Sequence, residues 1–457
     1  MGRAFHLVSL GCPKNRVDSE RIAFVMMESG FEPADDPGVA DVIVVNSCSF
    51  VAPAVEESLD TILDLRNENP SAVLVVAGCM PLRYGEALAD ELPEVDLFLD
   101  PAGIAGLPRL VEAAALARAE SSLTRAEPGV FHGPAAVSQP VIGRAVSTPG
   151  YAYLKVAEGC SRRCTYCTIP GITGPLRSMD PGILEREVES LAERGVREIV
   201  VVAQDVTAFG SDRGEKDGLV GLLHRIQRIS GIDWIRLMYL HPAGISRELL
   251  ELIRISEKVL PYMDVPFQHV SAKVLRAMGR PWRDDPVRRL VDRIRTEVPD
   301  VVLRTTVMVG FPGETAREFE ELSAFVSQAG IEHVGVFEYS PEEDTPAARR
   351  GDPVPSDEKK ARADEIRAIH ARFSHRWHRA RVGGIEEVLV EGVSGETDLL
   401  LQGRAWYQAP EADGVTYITA GTCVPGEIRL LQVTDSHGPD LFGEILTEAT
   451  RTREVRK

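Results

Sequence analysis

The run GCSRRCTYC, residues 159–167, sets Cys160, Cys164 and Cys167 in a C-x3-C-x2-C pattern. It presents three thiolates where a structural zinc ion takes four ligands. Three cysteines can hold a [4Fe–4S] cluster and leave one iron open for a ligand that is not protein. Two plainer readings stand beside this one: three ordinary core cysteines, or an incomplete zinc knuckle. Only seven cysteines occur in 457 residues, and three of them fall within these eight positions, which puts the cluster first.

The stretch leading into the run, YAYLKVAEG (151–159), reads as a strand. Further apolar strands follow it: EIVVVAQD (198–205), WIRLMYLHP (234–242), YMDVPFQH (262–269), VVLRTTVMVG (301–310) and HVGVFEYS (333–340). Charged amphipathic helices such as DPGILEREVESLAERG (180–195) and DPVRRLVDRIRTEV (285–298) separate them. Six such repeats over 151–354 predict a partial (β/α)6 barrel, with functional groups at the carboxyl ends of the strands. After the fifth strand, Thr315 and Glu318 have capping-box spacing, and Gly310 and Gly313 mark a tight turn.

Residues 1–120 also alternate strand and helix. AFHLVSL (4–10), DVIVVNS (41–47) and AVLVVAG (72–78) have the continuous apolar character of buried parallel strands. Each leads into a cysteine, at Cys12, Cys48 and Cys79, and each is followed by a helical pattern. Ligands of open α/β sheets gather beyond the carboxyl ends of the strands. The three thiols therefore converge although 36 and 31 positions separate them, which predicts a second metal site. The alternative is that cysteine is simply a common buried residue.

Residues 121–150 hold Pro, Gly and Ser without periodicity and read as a linker. Residues 355–382 read as a long connecting helix whose late Arg and His residues form a solvated face, with nucleic-acid contact as the alternative. Residues 383–446 carry five short strands separated by turn residues, the pattern of a small β-barrel of OB type, and 447–457 form a tail. Cys423 in this barrel is expected to be a core cysteine. The barrel holds eleven acids against Arg404 and Arg429, a balance of −9. That charge repels phosphates and attracts a basic protein; the plainer reading is that it serves solubility.

The whole chain carries −18, which argues against broad nucleic-acid binding. The N-terminal apolar run is too short for a signal peptide, and no membrane-spanning run is found. A reducing cytoplasm is therefore expected, where clustered thiols mean metal or catalysis.

Taken together, these features resemble the radical S-adenosylmethionine (SAM) methylthiotransferases, with an N-terminal three-cysteine domain, a radical SAM core and a C-terminal TRAM barrel. The resemblance covers nearly the whole chain. Tyr166, just before Cys167, is part of it. One branch of the family modifies an adenosine of tRNA, the other an aspartate of small-subunit ribosomal protein twelve. SLGCPKNRVDSE (9–20), AQDVTAFG (203–210), YSPEEDTPAA (339–348) and GRAWYQAPEADG (403–414) are similar to the second branch. The acidic barrel points the same way, because that ribosomal protein is strongly basic. One run departs: IPGITGPLRSMD (169–180) has Thr173 and Met179 where the family has arginines, with Arg177 as a shifted cation.

The resemblance implies two [4Fe–4S] clusters, one on Cys160, Cys164 and Cys167 with SAM on its open iron, the other on Cys12, Cys48 and Cys79. It further implies that one SAM methylates sulfide on the second cluster and that another yields the radical taking hydrogen from the aspartate β-carbon. With strand-end position, it makes Tyr166, Gln204, Gln268, Arg304 and Gly310 candidates for SAM binding, with no catalytic side chain beyond the cofactors. The implied partners are the basic ribosomal protein and an electron-donor protein, with tRNA and membrane disfavoured. A tRNA-modifying enzyme and a non-catalytic Fe–S or binding protein are the competing readings.

Overall fold

The computed structural model describes residues 3–85, 87–120, 129–131, 143–280, 286–351 and 353–446. Most of the expected linker and all of the tail lie outside these residues. The chain forms two compact units. The first is Met1–Ser147 with Glu158–Ser161 and Thr168–Pro175; the second is Thr148–Ala157 with Arg162–Cys167 and Leu176–Lys457. The division is thus not a single cut in the linker: parts of the segment around the 159–167 run belong with the first unit.

In the first unit, β1 (Ala4–Ser9), β2 (Glu32–Pro33), β3 (Val42–Ser47), β4 (Val73–Gly78), β5 (Leu97–Leu99) and β6 (Gly129–Phe131) form one parallel sheet. Their order is β2-β1-β3-β4-β5-β6. Side chains alternate across a strand, so both faces of a doubly covered sheet must be apolar. Val42, Val44, Val73 and Val75 enter one core with Ile22 and Met26 of the helix Pro13–Glu28 and with Leu107 and Val111. Ile43, Val45, Leu74 and Val76 enter the other with Ile62 and Leu65 of the helix Ala52–Glu68. This explains why the strands read as unbroken Val and Leu runs. The chain reverses direction of travel across the sheet between β1 and β3, which opens a crevice at their carboxyl ends.

The second unit contains β7 (Tyr151–Lys155), β10 (Glu198–Val202), β11 (Trp234–Leu237), β12 (Val259–Asp264), β13 (Val302–Val309) and β14 (His333–Glu338) in one parallel sheet; the two-residue strands β8 (Ala157–Glu158) and β9 (Arg177–Ser178) fall between the first two. The sheet order follows the chain, β7-β10-β11-β12-β13-β14, as the six-repeat reading requires. The predicted capping box forms, with Thr315 and Glu318 closing the start of the helix Ala316–Gln328.

The last five strands, β15 (Ile385–Val393), β16 (Leu401–Ala405), β17 (Thr416–Ala420), β18 (Ile428–His437) and β19 (Asp440–Ile445), form a closed barrel in the order β15-β16-β17-β19-β18. Cys423 lies in the loop joining β17 to β18 and is half-exposed, which corrects its expected place in the core: it falls three residues past the end of β17, outside the strands that line the barrel.

The helix Ser356–Arg379 reaches this barrel. Arg372, His375, Arg376 and Arg379 are exposed, as a solvated face requires, but His378 is fully buried. Trp377 packs edge-on to Tyr407 at 5.0 Å, and Arg381 lies over the Trp377 ring at 3.6 Å. That half of the cluster is packing, not surface.

Polar side chains of the six-stranded sheet meet the small barrel in a buried network. Glu198 accepts from Arg236 Nε at 2.6 Å and from Arg404 Nη2 of β16 at 2.7 Å. All three side chains are at most 2% exposed. Burial alone would raise the Glu198 pKa, but the two guanidiniums outweigh it and hold the carboxyl below its ordinary value. Asp413 repeats the pattern, accepting from Arg304 Nη1 and from the Tyr262 hydroxyl, each at 2.7 Å.

Candidate cluster and cofactor site

Cys12 caps the helix Pro13–Glu28, Cys48 follows β3, and Cys79 opens the short helix Cys79–Tyr84 directly after β4. All three stand at the carboxyl ends of adjacent strands, Cys12 and Cys48 on either side of the crevice. Asn15, buried one turn into the first helix, shows how closely the thiols converge. Its Oδ1 lies 3.8 Å from Cys12 Sγ and 3.9 Å from Cys79 Sγ. Cys48 comes close enough to Gly11 that a Cβ there would stand 2.8 Å from Cys48 Cβ and 3.0 Å from its Sγ. Gly11 has φ +91°, so the turn into Cys12 excludes a side chain on both counts. Ser58 grips the Cys48 backbone, accepting from its N–H at 3.1 Å and donating to its carbonyl at 3.0 Å.

Burial pushes the Cys48 thiol above its usual range. Cys79 is pushed up to about 12, first by burial and then by the negative charge of Cys12 and Cys48. Thiols gathered this closely favour a cationic iron centre that takes them as thiolates. No group of three or more His, Cys, Asp or Glu among the described residues could hold a metal ion directly. Three thiolates are the donor set that a [4Fe–4S] cluster with one open iron takes.

In the run 159–167, Cys160 belongs to the first unit and Cys164 and Cys167 to the second. Cys160 N donates to the Gly174 carbonyl at 3.0 Å. The neighbouring Thr173, one of the two departures, is buried and donates through Oγ1 to Ile169 O, closing a helical turn. At the other departure, Met179, Arg213 Nη1 reaches the carbonyls of Ser178 and Met179 at 3.0 Å. A cation thus stands beside that run from a residue distant in sequence, while Arg177 is exposed.

In the second unit, Cys167 N donates to Cys164 O at 3.2 Å, and Thr165 is tied through its N–H to Met278 O at 3.0 Å. Arg162 Nε holds the buried Asp205 at 2.7 Å. Arg280 is anchored on Pro266 O at 2.6 Å, with its charge acting on Tyr166 and Cys164. Burial first, then the charges of Arg280 and Arg162, lower the pKa of His241 to about 3 against the opposing charge of Asp205; it is a neutral imidazole at physiological pH.

The SAM candidates fall into two groups. Tyr166 packs edge-on to Phe311 at 6.4 Å and contacts the cluster of Val274, Met278 and Tyr339. Gln204 lies two residues beyond β10 and is half-buried. Gln268, beyond β12, continues the ladder along β13: its N–H donates to Thr306 O at 2.8 Å and its carbonyl accepts from Met308 N at 2.7 Å. It does so at φ +67°, a strained conformation for a side-chain-bearing residue and one typical of functional loops. Gly310 follows β13, and a Cβ there would stand 2.4 Å from Lys359 Cγ, so the glycine is also needed by the neighbouring helix. Tyr166, Gln268 and Gly310 thus gather about the carboxyl end of β13. Arg304 does not join them. It is the third residue of that strand and its guanidinium is committed to Asp413 and the Ala412 carbonyl. Its place near the start of the strand and its pairing with the small barrel set it apart from the strand-end candidates. Asn15, Arg162, Asp205 and Arg280 were not singled out as site residues; the Cys-x-x-Asn spacing, one helical turn, was the available signal for Asn15.

Three family models match the chain: Uncharacterized protein family UPF0004 over residues 4–100, the Radical SAM superfamily over 154–326, and the TRAM domain over 382–446. The ribosomal protein uS12 methylthiotransferase RimO of Trichlorobacter lovleyi is 45% identical over 97% of this chain and 98% of its own length. RimO of Geobacter sulfurreducens is 43% identical over 96% and 98%. The chain belongs to the RimO family. It is a radical SAM methylthiotransferase, and membership brings a [4Fe–4S] cluster and SAM to the radical SAM domain. Among solved structures, the radical SAM methyltransferase TsrM of Kitasatospora setae shares the fold, with a TM-score of 0.56 at 17% identity over 76% of this chain and 77% of its own. No described helix of this RimO-family chain is long and apolar enough to cross a membrane.

Proposed function

We propose that the chain adds a methylthio group to the β-carbon of an aspartate in ribosomal protein uS12, with one cluster on Cys160, Cys164 and Cys167 and a second on Cys12, Cys48 and Cys79. The observation that carries the two-cluster reading is the convergence of Cys12 and Cys79 on one Asn15 oxygen, with Cys48 packed against Gly11 beside them. A second thiol triad, separate from the one that serves radical chemistry, gives the donated sulfur a place to wait. Bound to the radical SAM domain, cluster and SAM supply a primary carbon radical, the reagent for a carbon that no side-chain base can deprotonate.

The chain's own residues hold and shield. Tyr166, Gln204, Gln268 and Gly310 are the SAM contacts in this reading; Arg304 is not. Asp205, through Arg162, fixes the loop between Cys160 and Cys164. The barrel meets the substrate: Glu387, Glu396, Asp398, Glu411, Asp435 and Glu444 are exposed, whereas Arg404 is buried and Arg429 faces Glu427 at 3.2 Å. A surface so short of accessible cations selects a basic protein over a polyphosphate. Electrons come from a donor protein.

The test separates the two sites. Cys164→Ala should abolish 5′-deoxyadenosine formation, whereas Cys12→Ala should keep it and transfer no sulfur to uS12. Sulfur transfer by Cys12→Ala at the parent rate would sink the reading.

A further inference from the structure

Asn15 is a buried amide with every hydrogen-bonding atom directed at the second cysteine triad. Its Nδ2 donates to Leu10 O and to Ser47 O, each at 2.9 Å. Those carbonyls lie two residues before Cys12 and one before Cys48. Both amide hydrogens go to acceptors, so the orientation is settled by the network, and Oδ1 must face the thiols of Cys12 and Cys79. One side chain thereby touches the ends of β1 and β3 and the residue after β4. Asn15 is itself held: Asn46 Nδ2 donates to its main-chain carbonyl at 2.7 Å.

We infer that Asn15 is a positioning residue for the second cluster, fixing the triangle of Cys12, Cys48 and Cys79 at the spacing that an iron–sulfur cube requires. The inference rests on the reading of those cysteines as cluster ligands. The three thiols come from segments far apart in sequence, and no covalent link sets their separation. Loops at strand ends are free to spread when nothing ties them together. An amide that donates to the segments bearing Cys12 and Cys48 and faces the sulfurs of Cys12 and Cys79 opposes that spreading before iron arrives. Aspartate, of the same shape, cannot donate. It would set a carboxylate against the Leu10 and Ser47 carbonyls and would lose the clasp while preserving volume.

The experiment uses the full chain carrying Cys160→Ala, Cys164→Ala and Cys167→Ala, so that iron can enter only the second site. Iron(II) and sulfide are added anaerobically, and iron and the electron paramagnetic resonance of the reduced protein are measured. The parent should bind about four irons, one cube. Asn15→Asp should bind at least fourfold less, or give a changed resonance, while the melting of the unloaded chain stays that of the parent. Asn15→Ser, which removes the amide without adding charge, serves if Asn15→Asp fails to fold. About four irons with the parent resonance in either folded variant overturns the inference, and so does failure of both to fold, which would assign Asn15 to general stability. Cys12→Ala separates the two levels: if it too keeps four irons, the ligand reading itself fails, whereas iron lost there but kept in Asn15→Asp refutes only the role of Asn15.

Discussion

Replacing Glu198 by glutamine tests whether the small barrel is an integral part of the second unit. Glu198 is fully buried and holds two guanidiniums, Arg236 and Arg404, which are 0% and 2% exposed. Arg404 keeps other partners in Glu391 and the Gln408 carbonyl. Arg236 keeps little else: among the described residues its Nη1 and Nη2 have no hydrogen-bond partner, and the Tyr262 ring lies against it at 4.6 Å. Removing one partner of a buried pair costs about 3–5 kcal/mol. Glutamine keeps the shape and one acceptor oxygen, so about 3 kcal/mol is expected, a drop of about 5–10 °C in Tm for a unit of this size. The Glu198 carboxyl is held below its unfolded value, so its contribution is present at neutral pH and is lost as pH falls through the folded pKa. The gap between wild type and Glu198→Gln should therefore close in acid. Adding Arg236→Met to Glu198→Gln removes the stranded charge and should restore most of the loss. The assay is circular-dichroism melting of the full chain across pH. A Tm change under about 1 °C, or a double variant no better than the single, would refute the reasoning.

Asp264 provides the opposite pH signature. Burial raises its carboxyl to about 6 in spite of Arg304, so the group favours the fold at low pH and that contribution is lost as pH rises through about 6; Asp264→Asn should remove this slope from melting curves taken between about pH 4 and 7. Gly11→Ala forces a Cβ to 2.8 Å from Cys48 Cβ at φ +91° and should halve total iron per chain while leaving 5′-deoxyadenosine formation intact; unchanged iron would show that the crevice yields. Neutralising Glu387, Glu396, Asp398 and Glu411 together should weaken binding of a basic uS12 segment and flatten its salt dependence, measured by calorimetry at two ionic strengths; an unchanged affinity would move the substrate surface elsewhere.

Most of the architecture was legible because it is written in local pattern. The Val-rich runs at 42–47 and 73–78 read as doubly buried strands since each face feeds its own core. Cys12, Cys48 and Cys79 could be grouped because parallel topology brings strand ends together. Less was legible where long-range pairing decides. Nothing local to Arg304 signals Asp413, 109 positions away, so its pairing with the barrel is not legible in the sequence. His378 sits among charges that suggest a wet helix face, yet it is buried with the Trp377 ring edge-on at 4.7 Å and the His333 ring at 6.1 Å. Cys423 was placed by composition and displaced by its loop. Arg280 carries no motif at all; its anchor on Pro266 and its charge on Cys164 exist only in three dimensions.

The most direct measurement is a competition under strict anaerobic conditions, in which the reconstituted chain, SAM, sulfide and a reductant meet uS12 and bulk tRNA together. Mass spectrometry should find the methylthio group on one aspartate of uS12 and none on tRNA. Methylthiolated tRNA with unmodified uS12 would contradict the account and would mean that local cation placement outweighs the acidity of the barrel.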